Sequence, residues 1–199
     1  MKAIDQIDKH EADEETVRLL QSGNEAAFRQ LVEAYQNKVY NLCLGFLKNE
    51  TDAEDVAQEV FVEVYRSIHQ FNNDSGLGTW IYRISVNKSL EFLRKSKRKK
   101  RFSWLTSIFG NEEVLESQTA DFEHPGVSLE NKERSKILME HIDRLPKNQK
   151  VAFTLHKLED LSYKEVSDIM QVSISSVESL MFRAKKNLKN TLKDYYKEL

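Results

Sequence analysis

Apolar residues recur at three- and four-residue steps through most of the chain, and this period predicts helices rather than strands. The spacing predicts a first helix from about Glu14 to Ser22. Asn24 is placed to cap a second, which carries Phe28, Leu31, Val32 and Tyr35 on one face. Thr51 or Asp52 is expected to cap the next, where Ala53, Val56, Ala57, Val60, Phe61 and Val64 form the apolar stripe and Asp55, Gln58, Glu59 and Glu63 the polar face. Phe71 to Gly78 breaks the period with Asn72, Asn73, Asp74, Ser75, Gly76 and Gly78, all turn-forming residues, so a loop is expected there. Thr79 is expected to cap a long helix through Trp80, Ile81, Ile84, Val86 and Leu90. That helix ends in Arg94, Lys95, Lys97, Arg98, Lys99, Lys100 and Arg101, a run too charged to enter a core.

The period fails between 102 and 132, where Gly110, Pro125, Gly126 and a series of acids replace it. The expected organisation is therefore all-α, with two small helical domains over 14–101 and 133–195 and a flexible acidic linker over 102–132. In the second domain a helix from about Lys132 to Arg144 stops at Pro146. Pro146 or Asn148 then begins one carrying Val151, Phe153, Leu155 and Leu158. Ser162, with Glu165 three residues on, has the pattern of a capping box for a short helix with Val166, Ile169 and Met170. Gln171, Val172 and Ser173 form a turn before a longer helix with Ile174, Val177, Met181 and Leu188. Two helices joined so closely have the helix-turn-helix layout, in which the second helix can enter a major groove. Ser175, Ser176 and Ser179 lie where side chains reach bases, and Arg183, Lys185, Lys186 and Lys189 where phosphates run.

Charge changes the picture because it is segregated. Residues 1–64 hold fourteen acids and six bases, 65–105 ten bases and two acids, 106–135 seven acids and two bases, and 136–199 twelve bases and nine acids. Two basic zones with an acidic stretch between them fit two contacts on one polyanion. The acidic face of Asp55, Gln58, Glu59 and Glu63 suits a basic protein instead. Trp80 beside the basic run provides an aromatic platform and a cationic track for single-stranded DNA, although aromatic rings also serve as ordinary core.

Candidate catalytic chemistry is missing from the pattern. His10, His69, His124, His141 and His156 are scattered, the one cysteine, Cys43, sits in an apolar run, and no glycine-rich phosphate loop occurs. No enzyme and no cofactor are expected. The single cysteine fits a reducing compartment, no apolar run nears the roughly 18 residues of a membrane span, and the acidic beginning is unlike a signal peptide. A cytoplasmic protein without membrane insertion is expected.

DAEDVAQEVFVEVYRSI at 52–68 and TWIYRISVNKSLEFLRK at 79–95 resemble region two of bacterial sigma factors of the extracytoplasmic-function group. LPKNQKVAFTLHKLEDLSYKEVSDIM and QVSISSVESLMFRAKKNL resemble the region-four helix-turn-helix of that group. The resemblance implies a subunit that binds core RNA polymerase, directs it to promoter DNA and helps to melt it, commonly held by an anti-sigma factor. It implies polymerase contacts at Asp52, Asp55, Gln58, Glu59 and Phe61. Contacts to the minus-ten element are implied at Phe71, Asn72, Asn73, Asp74, Ser75, Trp80, Arg83, Asn87, Lys88, Arg94 and Lys95. Those to the minus-thirty-five element are implied at Ser175, Ser176, Glu178, Ser179, Arg183 and Lys186. The chain departs from the group at Gln171, where many members have Gly, at Ser175–Ser176, at the acidic Glu178 and at Leu180, so a different upstream sequence is expected. Two other readings remain: a two-domain helix-turn-helix regulator, and an anti-sigma or scaffold protein without DNA contact.

Overall fold

The computed structural model describes the backbone of residues 14–109 and 132–195, and side chains over 14–98 and 137–193. Among these residues there are helices and turns and no strand. The chain divides into two compact units, Met1–Ala120 and Asp121–Leu199.

The first unit contains α1 (14–21), α2 (Glu25–Leu47), α3 (Glu50–Ser67) and α4 (Leu77–Phe109). Asn24 caps α2 as expected, its side chain accepting the Ala27 N–H at 3.0 Å. The cap of α3 is two or three residues earlier than expected: Asn49, not Thr51 or Asp52, accepts the Asp52 N–H at 2.8 Å. Lys48 precedes it in the left-handed conformation that ends α2, so the chain leaves one helix and starts the next within two residues. α2, α3 and α4 pack pairwise around Leu31, Val39, Leu42 and Phe46 from α2, Val56, Val60 and Val64 from α3, and Leu77, Ile81 and Val86 from α4, all buried. Cys43 is buried among them, the packing role its apolar setting predicts.

α3 ends in a tight turn over Ile68–Gln70. The following stretch is held from behind, because the Gln21 amide of α1 donates to the carbonyls of Ile68 and Phe71, each at 3.1 Å. α4 starts at Leu77, two residues before the predicted Thr79 cap. The Gly76 carbonyl accepts the Trp80 N–H at 3.1 Å, so Gly78 and Thr79 are already helical. Neither Gly76 nor Gly78 turns the chain through positive φ; Asn73 does, at 60°. Gly78 serves close approach instead, since a Cβ there would stand 3.0 Å from the Tyr35 hydroxyl of α2. α4 then runs through Phe109, so residues 102–109 of the stretch read as linker are helical; residues 110–131 lie outside the described ones.

The second unit contains α5 (Lys132–Asp143), α6 (Lys147–Phe153) with a π turn over Thr154–Leu158, α7 (Tyr163–Met170) and α8 (Ile174–Tyr195). Ile142, Leu145, Ala184 and Leu188 form a buried cluster with Met139, Phe153 and Leu192 at its edge. The expected capping box is present, with Ser162 and Glu165 satisfying each other's backbone N–H. The turn of the helix-turn-helix is pinned by Ser167, whose hydroxyl donates to the Val172 carbonyl at 2.6 Å while its own carbonyl accepts the Val172 N–H at 3.1 Å. Gln171 ends α7 at φ 55°, in the left-handed region.

Candidate nucleic-acid interface

Three exposed surfaces carry the residues singled out from the sequence, two in the first unit and one in the second. On α3, burial of Ala53, Val56, Ala57, Val60 and Val64 leaves Asp55, Gln58 and Glu59 exposed on the opposite side, with Asp52 and Phe61 half-buried at its two edges. Val62, 49% exposed, sits between Gln58 and Glu59 one turn on. Tyr65, 54% exposed, meets Phe28 of α2 edge to face at 5.1 Å. Neither Val62 nor Tyr65 was among the expected contacts. Their signal in the sequence is an apolar side chain on the polar side of an otherwise regular stripe. The result is an anionic patch with an apolar centre, suited to a basic protein surface.

The second surface lies along α4. Residues seven apart on a helix return to within about 20° of each other, so Trp80, Asn87 and Arg94, and beside them Lys88 and Lys95, follow one stripe. Asn87, Arg94 and Lys95 are exposed, Trp80, Arg83 and Lys88 half-buried. An open groove of about 380 Å³ runs between Trp80, Asn87 and Lys88 of α4 and Glu63 and Ser67 of α3. In the loop before α4, Asn72 and Asp74 are exposed and Asn73 and Ser75 half-buried. Phe71 is not part of the surface: it is buried, and its ring stacks at a tilt on Trp80 with 5.0 Å between centroids. It supports the tryptophan from behind.

The cations of this stripe are not bare. Lys88 donates to Glu63 across the groove at 3.0 Å, and Lys95 to Glu91 on its own helix at 2.9 Å. The hydrogen bond from Lys95 holds the Glu91 carboxyl below the usual carboxylate range, helped by the charges of Lys95, Lys88 and Arg94. The same bond raises Lys95 above the usual lysine value, with the charges of Glu91 and then Glu59 adding to it. Glu59 and Glu63 therefore act on the α4 cations, although the sequence assigned both to a separate protein-binding face.

The third surface is the outer side of α8. Val177, Met181, Ala184 and Leu188 are buried, which leaves Ser175, Glu178, Ser179, Arg183 and Lys186 exposed and Ser176 half-buried. Ser173 caps the helix by accepting the Ser176 N–H at 3.2 Å, and its hydroxyl also meets those of Ser175 and Ser176 at 3.0 and 2.8 Å. Glu178, Ser179, Phe182 and Arg183 line a shallow depression. Phe182 is 70% exposed in its middle and was missed from the sequence; it stands one residue after the core Met181, an apolar group on the polar side. Among the described residues no group of three His, Cys, Asp or Glu could hold a metal ion. No described helix is long and apolar enough to cross a membrane.

Comparison with known proteins identifies the family. Residues 31–99 match the model of sigma-70 region 2, and residues 135–188 that of sigma-70 region 4. The chain is 33% identical over 180 residues to the ECF RNA polymerase sigma-E factor of Haemophilus influenzae, covering 90% of this chain and 95% of the relative. It is 33% identical over 190 residues to the RNA polymerase sigma-H factor of Pseudomonas aeruginosa, covering 94% and 97%. Among solved structures, CnrH in complex with the cytosolic domain of CnrY shares the fold with a TM-score of 0.66 at 21% identity, over 92% of this chain and 98% of that one. RpoE of Bartonella quintana, solved with the anti-sigma factor NepR, does so with a TM-score of 0.59 at 20% identity, over 83% and 96%. With both regions in order and its relatives matched over nearly their full length, the chain belongs to the extracytoplasmic-function group of the sigma-70 family of RNA polymerase sigma factors.

Proposed function

We infer that the protein is a dissociable, non-catalytic subunit of RNA polymerase that directs the core enzyme to its promoters and assists DNA opening. The observation that carries this reading is the succession of a region 2 match and a region 4 match on one chain, each bearing an exposed face of the chemistry its partner needs. Asp52, Asp55, Gln58, Glu59 and Phe61 of α3 contact a basic surface of core polymerase, with Val62 at the centre. A protein partner is the suitable occupant, because a carboxylate face repels DNA phosphate.

The loop residues Asn72, Asn73, Asp74 and Ser75 receive an unstacked minus-ten base. Trp80, supported by Phe71, together with Arg83 and Asn87 lines the path of the strand, and Lys88, Arg94 and Lys95 meet its phosphates. On α8, Ser175, Ser176, Glu178 and Ser179 face the bases of the minus-thirty-five element, and Arg183 and Lys186 its backbone. Glu178 in this position favours a cytosine amino group over a phosphate. These activities place the protein in the cytoplasm with polymerase and DNA. The regulator of the chain is a protein that covers these faces, an anti-sigma factor like the one bound to the Bartonella relative.

The experiment is reconstituted transcription with core polymerase on fragmented genomic DNA. Discrete chain-dependent start sites are the expected result. Core polymerase that ignores the chain, or DNA binding without any change in initiation, would return the reading to an ordinary helix-turn-helix regulator.

A further inference from the structure

The groove between α3 and α4 contains a contact that the proposed reading does not use. Lys88, which that reading aims at DNA phosphate, points its ammonium at the Glu63 carboxylate 3.0 Å away on the neighbouring helix, with the two side chains 24% and 40% exposed. The pair lies in the groove that also contains Trp80, Asn87 and Glu91. Farther along the same stripe Lys95 is bound to Glu91 at 2.9 Å. The cations are thus paired with oxygens of the protein at the distance a phosphate oxygen would take. A strand laid along α4 has to displace these carboxylates, and the displaced carboxylates then repel it.

We propose that Glu63 is an internal stand-in for DNA phosphate, holding Lys88 in the free subunit so that region 2 binds single strands weakly until polymerase brings the strand to it. The proposal rests on the reading that the minus-ten strand runs along α4. Physically it is a competition between two anions for one cation. Intramolecular Glu63 wins over dilute DNA, whereas a strand already held by the polymerase complex is present at high effective concentration and displaces it. Glu63 can occupy this position because it is on the edge of α3 nearest α4, away from the exposed centre marked by Asp55, Gln58 and Val62. The raised Lys95, which feels Glu91 and Glu59 as well, shows the same counter-charge continuing toward the basic end of the helix.

The test is a double-mutant cycle on the full chain without polymerase: wild type, Glu63→Gln, Lys88→Gln and the double variant, titrated against a short fluorescein-labelled single-stranded oligodeoxynucleotide of mixed sequence at several salt concentrations. Glu63→Gln is expected to tighten binding roughly fivefold, the equivalent of releasing one surface ion pair. It should also steepen the salt dependence by about 0.7 in log–log slope, one more phosphate neutralised on a single strand. In the Lys88→Gln background the same change should do nothing, since the cation it frees is gone. A Glu63→Gln effect that persists without Lys88 would mean general repulsion and overturn the proposal. Equal affinity of Glu63→Gln and wild type, or no binding by either at low salt, would overturn it too. Wild-type binding to core polymerase, measured on the same preparation, is independent of this pair: loss of that binding would count against the sigma reading and not against the pairing of Glu63 with Lys88.

Discussion

Gln171 holds a left-handed conformation, φ 55°, at the end of α7, where a side chain costs about 1–2 kcal/mol that glycine does not incur. Glycine loses more freedom on folding, so Gln171→Gly is expected to stabilise the second unit by about 0.5–1 kcal/mol net. Urea denaturation followed by far-UV circular dichroism reads this as a higher midpoint for that unit's transition; a lower midpoint would mean that the Gln171 side chain itself holds the turn. Phe182 gives a second prediction at this scale. With its ring 70% exposed, Phe182→Ala should leave thermal unfolding within about 0.5 kcal/mol of wild type. Holoenzyme binding to upstream promoter DNA should nevertheless weaken, because an apolar group in a major groove packs on thymine methyls. Unchanged promoter affinity would remove Phe182 from the interface. Both residues show what a single sequence conveys at this scale: a residue out of character for its position is visible, but what it touches is not.

At the scale of the element, α3 and the loop before α4 make separable predictions. Reversing charge with Asp55→Lys and Glu59→Lys should abolish capture by core polymerase while leaving helicity and melting nearly unchanged, since exposed acids contribute little to stability. Retained binding in a pull-down would place the polymerase contact on another surface. Deleting Asn73 and Asp74 removes the one positive-φ turn of the loop and should block melting with core binding intact. Permanganate reactivity of thymines near the start site reports this directly: wild-type-like reactivity would make the loop a connector only. The anchoring of Ile68 and Phe71 by Gln21 keeps the start of the shortened loop in place, so the deletion tests the loop and not the packing behind it.

For the molecule as a whole, each unit has a buried core of its own, and the linkage between them is expected to act through effective concentration. Two halves produced separately, split within 110–131, are each expected to unfold cooperatively. Mixed with core polymerase, they should support transcription from promoters that need both elements on the order of a hundredfold less well than the intact chain, because a tethered second contact gains about that much from effective concentration. Run-off transcription at equal protein concentrations measures the difference; equal activity of the mixture would show that the linkage contributes nothing. The alternation of acidic and basic segments has its meaning at this scale, since both surfaces proposed to face DNA belong to one chain while the stretch between them carries the sign of DNA itself.

The order and phase of the helices and the helix-turn-helix were decided within the sequence, because each depends on neighbours at most a few residues away, whereas the end of α4, at Phe109 and inside the stretch expected as linker, was not. Asn24 and Ser162 cap as their side chains require, and the stripe 53, 56, 57, 60, 64 is buried as its period requires. The two start sites read wrongly, Thr79 and Thr51 or Asp52, are places where several residues could cap and the packing of adjoining helices selected among them. What only the tertiary structure decided is which residues from different elements meet. Phe71 went into the core behind Trp80, Gly78 came close against the Tyr35 ring, and Lys88 found Glu63 twenty-five positions away. Periodicity orients a side chain about its own helix axis, but whether it then faces solvent, a ring or an opposite charge is settled by the neighbouring helix, whose position no local pattern encodes.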